Sequence, residues 1–221
     1  MIFYLLSILL SISISYGYGD DVLNILYDDS GWNLVYTKDN GLSVYNKNID
    51  SIPIHGIKVT YIDTVDINIF TRTVLDGNRH TEFLQKSHLS KSQILEQRED
   101  TVWTYQYLDL PIIANRNYIS INILRYIEKN IHHQMNWSFL SDSKNEKMLQ
   151  SISEDALLLT NGVGGWEIQK LDDGRSLITY RIVVDPDGWI PEFLINESNK
   201  FLAPNTIEAM VNEAKRRELA E

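Results

Sequence analysis

The sequence contains no cysteine among its 221 residues. This absence excludes disulfide bonds, thiolate metal ligands, a cysteine nucleophile and lipid attachment through cysteine. Basic residues are also in the minority, because 20 lysines and arginines stand against 30 aspartates and glutamates, which gives a formal net charge of −10. A surface of this sign argues against nucleic acid as a partner and against tight electrostatic docking on anionic membranes. It is equally what a protein needs simply to stay in solution.

The short motifs of common enzymes are missing as well. There is no Gly-x-Ser-x-Gly nucleophile elbow, no phosphate-binding loop and no zinc-protease helix. The adjacent His132 and His133 point to opposite faces of a predicted strand, and His55, His80 and His88 have no second ligand at metal-like spacing. We interpret each histidine as a satisfied core residue or an exposed one. The sequence therefore predicts no metal site, no cofactor and no enzyme activity.

The first 19 residues carry no charged side chain. Residues 2–14 are apolar apart from serines, but this run is too short to cross a bilayer comfortably, which takes roughly 20 residues. Small residues at Ser15, Gly17 and Gly19 match a signal-peptidase site, although no lysine or arginine precedes the apolar core. We expect residues 1–19 to be a signal peptide of an exported bacterial protein, periplasmic or secreted. A buried core helix or an uncleaved anchor is the alternative.

From residue 20 onward, the hydrophobic pattern predicts a short first helix, many antiparallel strands and one long last helix. Asp39-Asn40-Gly41 and Asp172-Asp173-Gly174 mark hairpin turns, because Asn and Gly accept a positive φ easily. Asp66 is predicted to cap a helix that stops at Gly77. The predicted strands cover residues 32–38, 42–46, 54–64, 92–98, 101–108, 118–128, 132–139, 157–164, 166–171 and 176–184.

The last helix is predicted from about residue 189 to residue 219, with a kink at Pro204 because proline removes a helix hydrogen bond. Before it, the glycine-rich residues 161–165 precede a predicted strand and are interpreted as a bulge or a β-turn. The pattern favours one α+β domain over residues 20–221, in which a curved antiparallel sheet wraps around the last helix and encloses a cavity. The predicted apolar face of that helix is Phe193, Leu194, Phe201, Ile207, Met210, Val211 and Ala214.

Four groups of residues resemble, in order and spacing, the motifs of the START family of lipid-carrying domains, which have the helix-grip fold. The resemblance covers about residues 20–217. The four groups are Gly31-Trp32 with Gly41-Leu-Ser-Val-Tyr45; Val74-Leu-Asp76 with Arg79 and Phe83; Leu110-Pro111 with Asn115-Arg-Asn-Tyr118; and Gly188-Trp-Ile-Pro191 with Asn196.

Three positions depart from the family pattern. Phe83 and Asn117 stand where the family has Trp and Asp, and Asn122 stands where many sterol-type members have an arginine inside the cavity. The resemblance implies a domain that binds, and in some members transfers, a lipid or another hydrophobic small molecule, contacted here by neutral polar groups. The alternatives are a cyclase-type or hydrolase-type enzyme on the same fold and a ligand-sensing interaction domain. We expect a monomer with transient membrane contact.

Strand alternation sorts the candidate ligand-binding residues by face, but register decides which face meets the cavity and which meets water. The aromatic candidates either line the cavity or are ordinary core residues, since Tyr and Trp bury a large area in either case. Arg116 is either a head-group contact at the cavity mouth or a structural ion pair with Asp109 or with the turn at Glu99-Asp100. The predicted ligand-binding residues are Trp103, Tyr105, Gln106, Tyr107, Arg116, Tyr118, Ser120, Asn122, Phe193 and Phe201.

Overall fold

The computed structural model describes residues 19–50, 52–111, 113–141, 156–188, 190 and 192–220, and of residues 192–200 it describes the backbone alone. The predicted signal peptide therefore lies outside the described residues except for Gly19, as does the side chain of Phe193. The helices of the described part are α1 (Asp20–Tyr27), α2 (Ile67–Leu75), α3 (His80–Phe83) and α4 (Glu192–Glu218). The strands are β1 (Asn33–Thr37), β2 (Ser43–Ile49), β3 (Ile52–Asp63), β4 (Leu89–Arg98), β5 (Thr101–Leu108), β6 (Arg116–Glu128), β7 (His132–Phe139), β8 (Leu157–Leu158), β9 (Gly162–Lys170) and β10 (Ser176–Val184).

The strands form one open sheet in the order β1-β2-β3-β10-β9-β7-β6-β5-β4, with the short β8 parallel to β6. All other pairs are antiparallel. The last hairpin joins the two halves of the sheet, because β10 pairs with β3 and β9 pairs with β7. The edge strands β1 and β4 both contain register irregularities. Together with α4, this curved sheet confirms the predicted α+β helix-grip architecture.

Local signals in the sequence explain most element ends. The Asp66 carboxylate accepts the backbone N–H groups of Asn68 and Ile69, so it caps α2 as predicted. The two predicted hairpin turns are confirmed by the positive φ angles of Gly41, +86°, and Gly174, +83°. No helix of the described part is long and apolar enough to span a bilayer.

Helix α4 packs against β3 and α2 through one face. Ile207, Met210, Val211 and Ala214 are spaced three or four residues apart, and each is exposed by 3 % or less. Burial of a large apolar side chain stabilises the fold by about 1.5–3 kcal/mol. Phe201, predicted on the same face, is 63 % exposed instead. It precedes Met210 by about two and a half helical turns and therefore lies on the opposite side of α4.

The other face of the sheet is covered in part by α1. Leu26 of this helix is fully buried and packs against Ile49, Ile54, Val163 and Val183. Because successive side chains of a strand alternate between faces, Val183 contributes to this outer cluster while its neighbours pack toward α4. The sheet thus separates two apolar layers, and the inner layer is the larger one.

The two predictions about glycines had different outcomes. Helix α2 ends at Leu75 with Asp76 as its C-cap, so it stops directly before Gly77, as predicted. Gly77 begins a short 3₁₀ turn, Gly77–Arg79, where a Cβ atom would lie 2.7 Å from Cγ2 of Thr104. The predicted bulge or β-turn at the glycine-rich residues 161–165 was wrong, because β9 pairs without a register shift with β10 from Gly162 and with β7 from Val163. The predicted kink at Pro204 stays a prediction, since Pro204 lies within the continuous helix α4.

Glycines in β9 make room for aromatic rings. A Cβ atom on Gly164 would lie 2.3 Å from the carbonyl oxygen of Arg181 and 2.5 Å from Cζ2 of Trp137. A Cβ atom on Gly162 would lie 2.4 Å from Cε2 of Phe139. Because β9 is the neighbour of β7, these glycines let Trp137 and Phe139 lie flat against the sheet.

We expect Gly164→Ala to lower the free energy of unfolding by about 3 kcal/mol or more, because the new methyl group meets backbone as well as a ring. Urea denaturation followed by tryptophan fluorescence measures this loss. Gly174→Asn is the matched control, since Gly174 has open space around it and asparagine tolerates its positive φ. Equal stability losses for the two variants would contradict the close-approach explanation.

Candidate functional site: a cavity between the sheet and the last helix

A cavity of about 310 Å³ lies between the inner face of the sheet and α4. Its roof comes from α4, through Leu202, Ala203, Thr206 and Met210, and α2 and α3 close one side through Val74, Leu75 and His80. The sheet provides the floor through residues of six strands, β4, β5, β6, β7, β9 and β10. These floor residues are Leu89, Val102, Thr104, Gln106, Leu108, Arg116, Tyr118, Ser120, Asn122, Trp137, Phe139, Trp166, Tyr180, Ile182 and Val184.

Stacked aromatic rings form the centre of this floor. The ring centroids of Trp166 and Tyr180 are 4.0 Å apart with an interplanar angle of 19°. Tyr118 stacks on Phe139 at 4.3 Å, and Phe139 is in turn 5.5 Å from Trp137. Rings stacked in this way offer a broad and rigid apolar surface. An apolar molecule placed on it would be removed from water, which is favourable in proportion to the area buried.

A chain of hydrogen bonds forms one polar wall of the cavity. His80 Nε2 is 3.0 Å from the carbonyl oxygen of Val74, which can only accept, so this ring nitrogen carries the proton. His80 Nδ1 then accepts from the Gln106 side-chain amide at 3.2 Å. The same amide donates to Ser92 Oγ, and its oxygen accepts the Tyr118 hydroxyl at 2.5 Å. Each of these side chains is therefore held in one orientation.

Burial fixes the protonation states of this wall. Removal from water lowers the pKa of His80 from its ordinary 6.5 to about 4, so the ring is neutral at pH 7. The same effect raises the pKa of Tyr118 far above its usual value, which keeps its hydroxyl protonated and able to donate. The polar wall of His80, Gln106 and Tyr118 is thus uncharged over the physiological pH range.

Asn122 and Ser120 continue the wall deeper into the cavity. The Asn122 amide nitrogen donates to the carbonyl oxygen of Val102 at 3.2 Å and to Ser120 Oγ at 3.1 Å. Asn122 pairs with Val102 on β5 and with Trp137 on β7, so its amide lies beside the aromatic floor. A neutral amide, and not a charged side chain, therefore occupies this position in the cavity.

Arg116 lies at the end of the cavity where β10 leads toward α4. Its Nε donates to the carbonyl oxygen of Pro186 at 2.9 Å and its Nη2 to that of Asp187 at 3.0 Å. Its Nη1 donates to the carbonyl of Ala114. The side chain thus ties the loop before β6 to the connection after β10. The predicted structural alternative, an ion pair with Asp109 or with the turn at residues 99–100, was wrong, since backbone carbonyls take its place.

The cavity brings together half of the predicted ligand-binding residues: Gln106, Arg116, Tyr118, Ser120 and Asn122. Their contact with a ligand stays a prediction.

Trp103, Tyr105 and Tyr107 lie elsewhere, because strand alternation places them on the opposite face of β5 from Gln106. Tyr105 and Tyr107 are buried there with Ile119 and Leu140, and Trp103 packs beside them. Phe201 is exposed and is absent from the lining, and the side chain of Phe193 lies outside the described residues.

Sequence reasoning missed His80, Trp137, Phe139, Trp166 and Tyr180 as cavity residues. Strand alternation could have identified Trp137 and Phe139, because they pair with Asn122 and Ser120 across β6 and β7. Trp166 and Tyr180 face each other across the last hairpin. His80 had no such signal, since its helix reaches the cavity only through tertiary packing.

Charged groups are scarce on the cavity surface. Among the lining residues that the structure describes there is no aspartate or glutamate, and the ionisable groups are His80, Arg116, Tyr118 and Tyr180. Groups of three or more metal-ligating side chains are also lacking in the described residues. This inventory suits the binding of an apolar molecule and provides no carboxylate for acid–base chemistry within that part.

The depressed pKa of His80 predicts a pH-dependent stability. The unfolded chain protonates this residue from about pH 6.5 downward, whereas the folded chain does so only near pH 4. The contribution of His80 is therefore complete above pH 6.5 and is lost as the pH falls toward 4, by about 3 kcal/mol. Urea denaturation at several pH values should show a shallower loss for His80→Asn than for the wild type. Identical pH profiles would contradict the prediction. Carboxylates such as Glu213, whose pKa is about 2, lose their contribution to stability at lower pH. They do so equally in the wild type and in the His80→Asn variant.

Comparisons with known proteins bear on the fold. No protein-family model matches the sequence, and no curated protein matches it. Among solved structures, the STAR-related lipid transfer protein from Xanthomonas axonopodis superposes with a TM-score of 0.72 at 16 % identity, covering 84 % of this chain and 99 % of that one. Human STARD10 gives a TM-score of 0.71 at 19 % identity, with 91 % and 81 % covered.

A more distant match is an aromatase/cyclase from Streptomyces sp. R1128, with a TM-score of 0.51 at 15 % identity, covering 73 % of this chain and 94 % of that one. Identities this low establish the fold alone. The element order, the curved antiparallel sheet and the helix over its inner face agree with that result. The chain therefore has the helix-grip fold of START domains.

Proposed function

We propose that this protein binds one lipid or other hydrophobic small molecule in the cavity beneath α4 and carries it. The aromatic floor supports the proposal: the stacked rings of Trp137, Phe139, Trp166 and Tyr180 lie beneath α4, and a cavity of about 310 Å³ separates them from the helix among the described residues. Binding would gain about 25 cal/mol for each Å² of apolar surface removed from water, before the entropic costs of association.

The cavity can open at the connection between β10 and α4. Asp187 and Gly188 both have positive φ, +51° and +77°, so the chain turns sharply just before the helix. At its other end α4 is held by ion pairs, from Lys215 to Asp63 at 2.5 Å and from Arg217 to Asp76 at 2.9 Å. We infer that the beginning of α4 moves as a lid while its end stays attached.

Exposed apolar side chains on segments that border the cavity suit transient membrane contact during exchange. Ile113 is 38 % exposed, Leu157 is 39 % exposed and Phe201 is 63 % exposed. Ile113 also lines the cavity, and Leu157 lies beside Gly188. A ligand that leaves at this rim would pass from apolar protein to bilayer with little exposure to water.

An enzyme of the aromatase/cyclase type is the second candidate, because the aromatase/cyclase from Streptomyces sp. R1128 shares the fold. Such chemistry needs an acid and a base within reach of the substrate. The described lining offers the neutral His80, whose Nδ1 is already occupied by Gln106, and no carboxylate. Ligand binding is therefore the function that this geometry favours.

Native mass spectrometry of the full chain, purified without detergent, tests the binding proposal. We expect a stoichiometric apolar adduct that organic solvent releases for identification. Thr206→Trp, which places a large ring in the cavity roof, should remove most of the adduct. Asn212→Trp is the matched control, since residue 212 is exposed on the same helix and should retain the ligand.

Two results would overturn the proposal. One is a folded wild-type protein that carries no apolar species and takes none from a lipid panel. The other is a folded Thr206→Trp variant that binds as much ligand as the wild type.

We also propose that the protein is exported with loss of its leader. Expression in a bacterium with separation of periplasm and cytoplasm should place the mature chain in the periplasm. Its intact mass should correspond to cleavage after Gly17 or after Gly19, where the small residues stand. An uncleaved chain retained in the cytoplasm would rule this out.

A further inference from the structure

Arg116 is a buried cation on the surface of the cavity. Its residue is 3 % exposed, and it lines the cavity near the apolar Leu110, Ile113 and Pro186. A charge removed from water is costly unless an opposite charge or strong hydrogen bonds compensate for it. The environment of Arg116 therefore indicates which kind of ligand group would satisfy its charge and its hydrogen bonds.

The partners of Arg116 compensate for only part of its hydrogen-bonding capacity. A guanidinium carries five N–H donors, and the carbonyl oxygens of Ala114, Pro186 and Asp187 accept three of them. In the described residues it forms no ion pair, and the carboxylate that influences its pKa belongs to the exposed Asp187. Burial lowers the pKa of Arg116, which shows the unfavourable desolvation of its charge. Among the residues that the structure describes, its two other N–H groups have no acceptor, so they can serve a ligand.

The other polar side chains discussed above already form hydrogen bonds with protein groups. Gln106 is bonded to His80, Ser92 and Tyr118, and Asn122 donates to a carbonyl and to Ser120. These groups are neutral and bonded to one another, so they form a wall that a hydrocarbon chain can lie against. Within a protein of net charge −10, the described cavity surface presents an arginine and no acidic residue.

The dimensions of the cavity favour a slender ligand. Arg116, Tyr118, Ser120 and Asn122 follow one another along the inner face of β6, which spans about 20 Å over these positions at ~3.3 Å per residue. That is about the length of one extended palmitoyl chain. The volume of about 310 Å³ lies at the small end of ligand pockets, which hold ~300–1,000 Å³. A lipid with two acyl chains would need a much larger space.

We propose that the ligand is a single-chain amphiphile with an anionic head, of the long-chain carboxylate class. Its carboxylate accepts the remaining N–H groups of Arg116 at the mouth, and its chain runs over the aromatic floor under α4. An ionised acceptor makes these hydrogen bonds about twice as strong as a neutral one would. This inference rests on the proposed function, because it names the ligand class of the same cavity.

Displacement of the neutral dye Nile red from the full-length protein, followed by fluorescence, tests the head-group assignment. Palmitate and hexadecanol have the same chain and differ only in the head. At pH 8 we expect palmitate to displace the dye at a concentration at least about tenfold lower than hexadecanol does. Acidification that protonates the carboxylate should remove this preference, and displacement by hexadecanol at the same pH controls for the stability that protonation of His80 costs.

Arg116→Met should bring the two ligands to within about twofold or threefold of each other by weakening palmitate alone. Arg125→Met is the matched control, because Arg125 is an exposed residue of the same strand and should leave the preference unchanged. Circular dichroism checks that both variants are folded. If Arg116→Met does not fold, the wild-type comparison and its pH dependence decide the question alone.

The possible outcomes separate this inference from the proposed function. If hexadecanol displaces the dye as well as palmitate does, the anionic head group is ruled out, but ligand binding in the cavity stands. A folded Arg116→Met variant that keeps the full preference would likewise exclude Arg116 as the site. If neither ligand displaces the dye and the purified protein carries no apolar adduct, both proposals fail.

Discussion

The close packing of β9 against the aromatic rings of β7 is the contact on which the cavity depends. Gly162 and Gly164 have no side chain on the inner face, so Phe139 and Trp137 can lie across them. Rings lying flat occupy little height above the sheet. With larger residues at these glycines, the rings would stand up toward α4 and fill the space beneath it. The open volume is thus a consequence of missing side chains in a strand that otherwise only pairs with its neighbours.

The two halves of α4 have different tasks. Its later residues, among them Ile207, Val211 and Ala214, belong to the main core, and the ion pairs of Lys215 and Arg217 fix its end. Leu202, Ala203 and Thr206, which precede them, cover the cavity together with Met210. The connection that precedes the helix is held by hydrogen bonds from Arg116 to backbone carbonyls. In our proposal Arg116 therefore has two roles. It holds the connection between β10 and α4, and it uses its remaining N–H groups to bind the ligand.

The fold was largely predictable from the sequence, while half of the site was not. Alternation, caps and turn residues predicted the strands, the Asp66 cap and both hairpins, because these signals are local. The orientation of β5 was undecided, since Trp103, Tyr105 and Tyr107 look as suitable for a cavity wall as Gln106 and its neighbours do. Tertiary packing alone decides which face turns inward. The same reason explains the omission of His80, and Phe201 was misplaced because nine residues, about two and a half helical turns, separate it from Met210.

The edges of the open sheet have a consequence for behaviour at high concentration. An unpaired strand edge exposes N–H and C=O groups on which another chain can add a strand. Both edge strands contain register shifts, between Leu34 and Tyr36 in β1 and between Ile94 and Glu96 in β4. Such irregularities twist a strand and break the regular spacing of its free groups. They make each edge a poor template for strand addition, and a sheet that never closes into a barrel can thereby resist growth into aggregates.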